Sequence, residues 1–146
     1  MKRRVTEIIM KIAGRFWKDG KFWLVEIPFL DLMVQSKTKK EIPEMVKDAI
    51  ELLVNDPSFS VKITLSQDNL YVEANDFKKL IALILKRLRL KNGLTIEDVT
   101  VRLKEKSVNA YAQYEQAKHS PGFEKLEELL KAVEPSSSIN MDLTKR

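Results

Sequence analysis

The sequence predicts an α+β layer followed by an all-helical unit, on three observations. Apolar residues recur with period two between residues 5 and 35 and are interrupted at Asp19-Gly20 and Pro28, the pattern of half-buried strands. A one-sided helical pattern occupies residues 42–53, and two more strand-like stretches follow it. From Asn75 onward the period is helical throughout. The expected order is β-β-β-α-β-β over residues 1–74, helices over residues 75–134, and a polar, disordered tail over residues 135–146.

Ile8, Met10, Ile12 and Phe16 mark the first strand, and Asp19-Gly20 separates it from a second over residues 22–27. Asp-Gly between two such runs favours a type I′ hairpin, whose two central residues both need positive φ. Pro28 ends the second strand because it has no N–H to give to a ladder. A short third strand is expected over residues 32–35. Phe16, Trp17, Phe22 and Trp23 either pair across the hairpin as core or leave one ring of each pair exposed as an interface anchor, since one helix cannot cover both faces. Thr38 and Glu41 fit a capping box, with Ile42, Met45, Val46, Ala49, Ile50 and Leu53 as the buried stripe and Asn55-Asp56-Pro57 as the stop. Pro43 removes one hydrogen bond and implies a distorted or later start. Val61, Ile63 and Leu65, then Leu70, Val72 and Ala74, form two strands around Gln67-Asp68-Asn69.

In the second half, Phe77, Leu80, Ile81, Ile84, Leu85 and Leu88 mark a helix that stops at Asn92-Gly93. Leu94 and Val99 bracket Thr95 as a hydrophobic staple at the entry to a two-turn helix over residues 96–103. Lys104-Glu105-Lys106 leads to Ser107, the N-cap of a helix running to about Gln116. Ser120-Pro121 reads as the cap and first residue of a last helix that buries Phe123, Leu126, Leu129, Leu130 and Val133.

Composition narrows the function classes. The absence of cysteine removes disulfide frameworks, thiolate nucleophiles and Cys-based zinc sites; the single histidine, His119, cannot found a triad or a multi-His metal site. No cofactor or metal is expected. The longest apolar run, residues 80–85, is far shorter than the roughly 20 residues a bilayer requires. Glu7 and Lys11 interrupt the stretch after Met1-Lys2-Arg3-Arg4 where a signal-peptide core would lie. A soluble, cytoplasmic protein is expected. Residues 1–74 carry 12 basic and 11 acidic groups and residues 75–133 carry 12 and 8, so most of the net +5 lies in the helical half. That excess fits either a solvated Lys-rich face or an anionic partner.

Two short helices joined by a few residues, with a longer helix on either side, form the layout of a helix-turn-helix unit, whose second short helix enters the DNA major groove. In LTIEDVTVRLKEKSVNAYAQYEQAKHSPGFEKL, residues 94–126, Val99, Leu103, Tyr111 and Tyr114 take inward positions. Ser107, Val108, Asn109, Ala112 and Gln113 take outward ones. Residues 76–133 resemble the helix-turn-helix of the lambda-repressor and Xre-like family, with Glu115 eight residues after Ser107 at the acidic helix end, followed by Gln116-Ala117-Lys118. The linker departs from the commonest form by one extra residue and by Lys104 in place of glycine. Ala117 likewise replaces a glycine, and because positive φ there costs about 1 kcal/mol or more, a different local turn is expected.

The resemblance implies base reading by Val108, Asn109 and Gln113 and phosphate contacts by Thr95, Ser107 and Lys118. Asn and Gln can each pair with adenine N6 and N7, while Val108 offers only an apolar contact, for instance to a thymine methyl group. The competing reading makes Asn109 and Gln113 solvated residues of a helix that has lost its DNA role. Lys91, Lys104, Lys106 and Lys118 fall in loops that would flank a duplex. Lys78, Lys79, Lys86, Arg87 and Arg89 read as the solvated face of the long helix.

FWLVEIPFLDLMVQSKTKKEIPEMVKDAIELLV, residues 22–54, is similar to the motif of the HicB antitoxins through Glu26, Pro28, Leu30, Asp31, Thr38, Glu41, Ala49 and Ile50. The resemblance implies a partial ribonuclease-H-like fold for residues 1–74, and HicB proteins are known to join this domain to a C-terminal helix-turn-helix. It further implies that the first domain blocks a small RNA-cleaving toxin of the HicA type, with Glu26, Pro28, Leu30 and Asp31 at the contact. The second domain would repress the operon encoding both by binding operator DNA. Pro28 and Leu30 equally fit turn and core roles. Enzyme activity is not expected, because Glu26, Asp31, Glu41 and Asp48 lack the register that converges carboxylates on metal ions about 4 Å apart. The competing readings are a stand-alone regulator whose first domain dimerises or senses a ligand, and a protein-binding adaptor. A homodimer or homotetramer is expected, since one recognition helix reads few base pairs.

Overall fold

The computed structural model describes residues 10–137. Strands β1 (Ile12–Asp19), β2 (Phe22–Ile27), β3 (Leu32–Ser36), β4 (Val61–Ser66) and β5 (Asn69–Ala74) form one antiparallel sheet in the order β3-β2-β1-β5-β4. Helix α1 (Ile42–Val54) lies between β3 and β4 in the chain; α2 (Phe77–Lys91), α3 (Ile96–Arg102), α4 (Val108–Glu115) and α5 (Phe123–Val133) follow β5. Ile8 of the expected first strand and residues 138–146 of the expected tail fall outside the described residues. The tail's first residues turn back: the Ser137 amide and hydroxyl both donate to the Glu134 carbonyl, at 2.9 and 2.7 Å.

Local chemistry corrects two expected boundaries and selects the later start expected for α1. Asp19 pairs with Phe22, so the first hairpin is centred on Gly20-Lys21 and not on Asp19-Gly20. Gly20 has φ +61° and neither Asp19 nor Lys21 is left-handed, which is the pattern of a type II′ turn. At α1 only half of the capping box forms: the Glu41 amide donates to Thr38 Oγ1 at 3.2 Å, while Glu41 is itself the N-cap, in helical conformation. The helix therefore starts at Ile42, which places Pro43 in the first turn, where its missing N–H is harmless. The last helix starts at Phe123 with Gly122 as N-cap, later than Ser120-Pro121 implies, and Pro121 is buried.

Alternation sorts the strand residues between two faces of the sheet. Ile12, Phe16, Val25, Ile27, Leu70 and Val72 line the inner face, against Ile42, Val46 and Ile50 of α1. The expected α1 stripe is wider than the one buried, since Met45 and Leu53 remain about two-fifths exposed at its rim. Phe16 and Trp23 meet on the inner face with ring centroids 6.0 Å apart, while Trp17 lies on the outer face under the Arg15 guanidinium. The quartet thus divides, with Phe16 and Trp23 on the inner face and Trp17 and Phe22 on the outer one.

Helix α2 buries Leu80, Ile81, Ala82, Leu83, Ile84, Leu85 and Leu88, and its exposed apolar residues, Phe77 and Leu90, lie at its two ends. Several cations expected on its solvated face are internal ties instead. Lys79 Nζ sits 2.6 Å from Asp56 and donates to the Ser58 hydroxyl, and its ammonium holds the Asp56 carboxyl down at about 2. Arg87 donates from Nε to the Leu30 carbonyl at 2.9 Å and from Nη2 to that of Asp31 at 2.8 Å. Lys78 and Lys86 are exposed.

The Arg87 contacts fix the 3-10 turn Pro28–Leu30 between β2 and β3. Leu30 is fully buried beneath this corner, which removes it from any surface contact because its side chain completes the core. Pro28 and Asp31 are exposed, Asp31 with φ 47°, and the half-buried Glu26 lies 3.4 Å from Arg15 on the outer face.

Gly14 marks a close approach between strands of the sheet. A Cβ there would run into the Leu70 side chain and lie 2.8 Å from the Glu26 carbonyl oxygen, so backbone as well as side chain would have to shift. Gly14→Ala is expected to destabilise the protein by about 1–3 kcal/mol, read as a lower midpoint in urea denaturation; an unchanged midpoint would show that the strands separate freely at this point.

Candidate nucleic-acid interface

Helices α2, α3 and α4 end alike. The residue two past each C-cap-flanking turn closes a six-residue ring: Leu94 N–H to Arg89 carbonyl at 3.0 Å, Glu105 to Thr100 at 3.1 Å, and Lys118 to Gln113 at 2.9 Å. A second bond accompanies each, from Gly93 to Leu90, from Lys104 to Val101 and from Ala117 to Tyr114. These are three Schellman motifs, each requiring a left-handed residue after the helix. Gly93, Lys104 and Ala117 supply it with φ of 66°, 57° and 59°. The different turn expected at Ala117 does not occur, and the strain is accepted at both non-glycine positions because four backbone hydrogen bonds are made in return across their two turns.

Helix α3 enters through a full capping box. Thr95 Oγ1 accepts from the Asp98 amide at 3.0 Å, and the Thr95 amide donates to Asp98 Oδ2 at 2.8 Å, which lowers the Asp98 pKa. Only the hydrophobic staple is expected from the sequence reading above; the Thr-x-x-Asp spacing carries the legible signal for the box. Val99 is fully buried and Leu94 partly so, consistent with that staple.

Helix α4 begins at Ser107, whose hydroxyl accepts from the Asn109 amide at 3.2 Å. Its inner side is Tyr111, fully buried, and Ala112, 7% exposed. Ala112 thus corrects its expected outward position, being buried next to Tyr111. The outer side presents Ser107 and Asn109, both exposed, Val108 at 42% exposure and, one turn on from Asn109, the half-buried Gln113. Neither amide side chain hydrogen-bonds to another described residue. Thr95 and Lys118 are exposed too, as are Lys104 and Lys106, and none of these three lysines forms an ion pair among the described residues. Lys91 departs from the expected set, being drawn to Glu134 at 3.5 Å. His119 is exposed beside the Tyr114 ring.

A buried ion pair sets the orientation of α4. Arg89 donates from Nε to Glu115 Oε2 at 2.7 Å and from Nη2 to Oε1 at 3.0 Å, and its Nη1 donates to the Leu94 carbonyl at 2.9 Å. Both side chains are about nine-tenths buried. The Glu115 carboxylate raises the Arg89 pKa further above its already high ordinary value. The planar guanidinium thereby joins the end of α2, the entry to α3 and the end of α4. Arg89 leaves the expected solvated face for this role, and no spacing rule links residues 89 and 115. The Tyr111 hydroxyl lies buried beside the pair without a hydrogen bond of good geometry, and burial pushes its pKa up.

Residues 85–134 match the family model for the helix-turn-helix, of the Xre and lambda-repressor-like type. The C-terminal helices therefore form a helix-turn-helix domain, with α3 and α4 as its two short helices. No curated protein matches the chain. No helix of the described residues is long and apolar enough to cross a membrane.

Lys104→Gly and Ala117→Gly each relieve a left-handed Cβ and are expected to stabilise the protein by about 1 kcal/mol. Chemical denaturation measures this, and a loss of stability in both variants would contradict the strain argument.

Proposed function

We propose that this chain is a sequence-specific DNA-binding repressor whose first domain acts as an antitoxin of the HicB kind. The DNA reading is carried by one observation: α4 presents unpartnered Asn109 and Gln113 amides and the Val108 methyls outward, on a helix whose end is clamped by Arg89 and Glu115. In this reading Asn109 and Gln113 each pair with an adenine edge and Val108 packs on a thymine methyl group. Thr95, Ser107 and Lys118 hold phosphates, and Lys104 and Lys106 add cations that displace condensed counterions. Two recognition helices on half-sites about 34 Å apart supply the selectivity that one lacks, so the working species is a homodimer or homotetramer.

The antitoxin reading is supported by the HicB-like residues in the first domain and by the joining of such a domain to a helix-turn-helix. Pro28 and Asp31, exposed at a corner fixed by Arg87, are where a small RNA-cleaving toxin would bind, with Leu30 stiffening the corner from below. The chain then works as a cytoplasmic binding protein, not an enzyme, and needs no cofactor.

Asn109→Ala is expected to lower affinity for the preferred site by about 1–3 kcal/mol, roughly 5- to 150-fold, in competition binding to the DNA upstream of its own gene. Lys118→Ala should weaken all sequences alike and reduce the slope of log affinity against log salt by about one. Binding that is neither salt-sensitive nor sequence-selective sinks the repressor reading. For the antitoxin half, co-expression with the product of the adjacent small open reading frame should give a co-purifying complex and rescued growth. Failure of both leaves a stand-alone regulator.

A further inference from the structure

Helix α1 packs on the inner face of the sheet, with α2 against α1 and the 3-10 turn, and the outer face stays open among the described residues. Phe22 is 40% and Met33 56% exposed there, with Trp17, Leu24 and Tyr71 partly exposed beside them. Charges on this face come in opposed neighbours: Lys11 lies 3.3 Å from Glu73 and Arg15 3.4 Å from Glu26. Lys62 and Asp19 complete an equal balance of sign. A balanced face holds no polyanion by long-range attraction, so aromatic rings with cations here do not amount to a nucleic-acid platform.

We infer that this open face is where two copies of the chain meet. A two-fold interface must be complementary to itself, and the strand register provides that property. Glu26 stands across from Arg15, and Leu24 across from Trp17, on adjacent strands β2 and β1. A two-fold axis running along the strands between β1 and β2 sets Arg15 of each copy against Glu26 of the other, and Trp17 against Leu24. Such an axis keeps the strand directions of the two sheets aligned, one of the two ways in which sheets pack face to face. Five strands at about 4.8 Å spacing and roughly six residues at about 3.3 Å give a flat footprint near 480 Å². With side-chain relief, most of the face is needed to reach the roughly 800 Å² per partner of a stable interface.

The inference rests on the repressor reading for its purpose, the pairing of two recognition helices, but not for its geometry. Sedimentation equilibrium of the full chain tests it, with circular dichroism to confirm that each variant is folded. The wild type should self-associate. Arg15→Glu and Glu26→Arg should each raise the dissociation constant at least about tenfold, Leu24→Lys should do so too, and the Arg15→Glu/Glu26→Arg double variant should recover most of the loss. A monomeric wild type, or association indifferent to all these changes, overturns the inference. So does a labelled single-stranded oligonucleotide that binds the wild type and is lost in Trp17→Ala while association is unchanged. Association through this face without operator binding refutes the repressor reading alone, and operator binding by a dimer insensitive to these variants refutes only the interface.

Discussion

Over Leu80 to Leu85, helix α2 has apolar side chains around its whole circumference, and a helix of that kind cannot lie on a surface. It has to be enclosed from two directions. The sheet side encloses one flank, helped by the Arg87 bonds to the Leu30 and Asp31 carbonyls and the Lys79 tie to Asp56. Helices α4 and α5 enclose the other, and one continuous apolar cluster runs from the strands through α2 to Tyr111, Leu129 and Val133. Each fully buried Leu or Ile contributes roughly 1.5–3 kcal/mol, so the seven buried residues of α2 are a large share of what stabilises either side.

This enclosure ties the helix-turn-helix to the rest of the chain. The C-terminal part of α2 lies within the matched helix-turn-helix region, while its N-terminal part is tied to the end of α1. Anything that moves the 3-10 corner pulls on Arg87, and Arg87 lies two residues from Arg89, the residue that orients α4. The two guanidinium groups do different work. Arg87 caps carbonyls at a partly exposed corner, whereas Arg89 forms a forked pair with Glu115 out of water, which contributes geometry more than net stability. The 3-10 corner and the end of α4 are thus tied to the same C-terminal part of α2, through Arg87 and Arg89.

Much of this was legible because it is local. The strand alternation, Pro28, the Asn55 stop, the Thr95 entry and the Ser107 cap each involve residues within a few positions of one another, and the expected order of elements matches the one found. The outward Asn109 and the inward Tyr111 follow from the helical period alone. Where local signals compete, reading failed in a consistent way. Asp-Gly and Gly-Lys both suit a two-residue turn, and the register of β1 on β2 chose the second. At α1, where the capping box at Thr38 and Pro43 pull against each other, the later start that Pro43 implied is the one found, at Ile42.

By itself, the amino-acid order determined which stretches are strands and helices, that the second half is a helix-turn-helix, and which polar residues its second short helix offers. Only the tertiary structure decided that Leu30 and Ala112 are inside, that Arg87 and Arg89 are ties rather than solvated cations, and that Lys104 and Ala117 hold left-handed backbone without being glycine. The reason is one of range. Period and capping act over a single turn, whereas the fate of a charged or apolar side chain at a margin is set by whichever partner folding brings to it, such as Glu115, 26 residues away from Arg89.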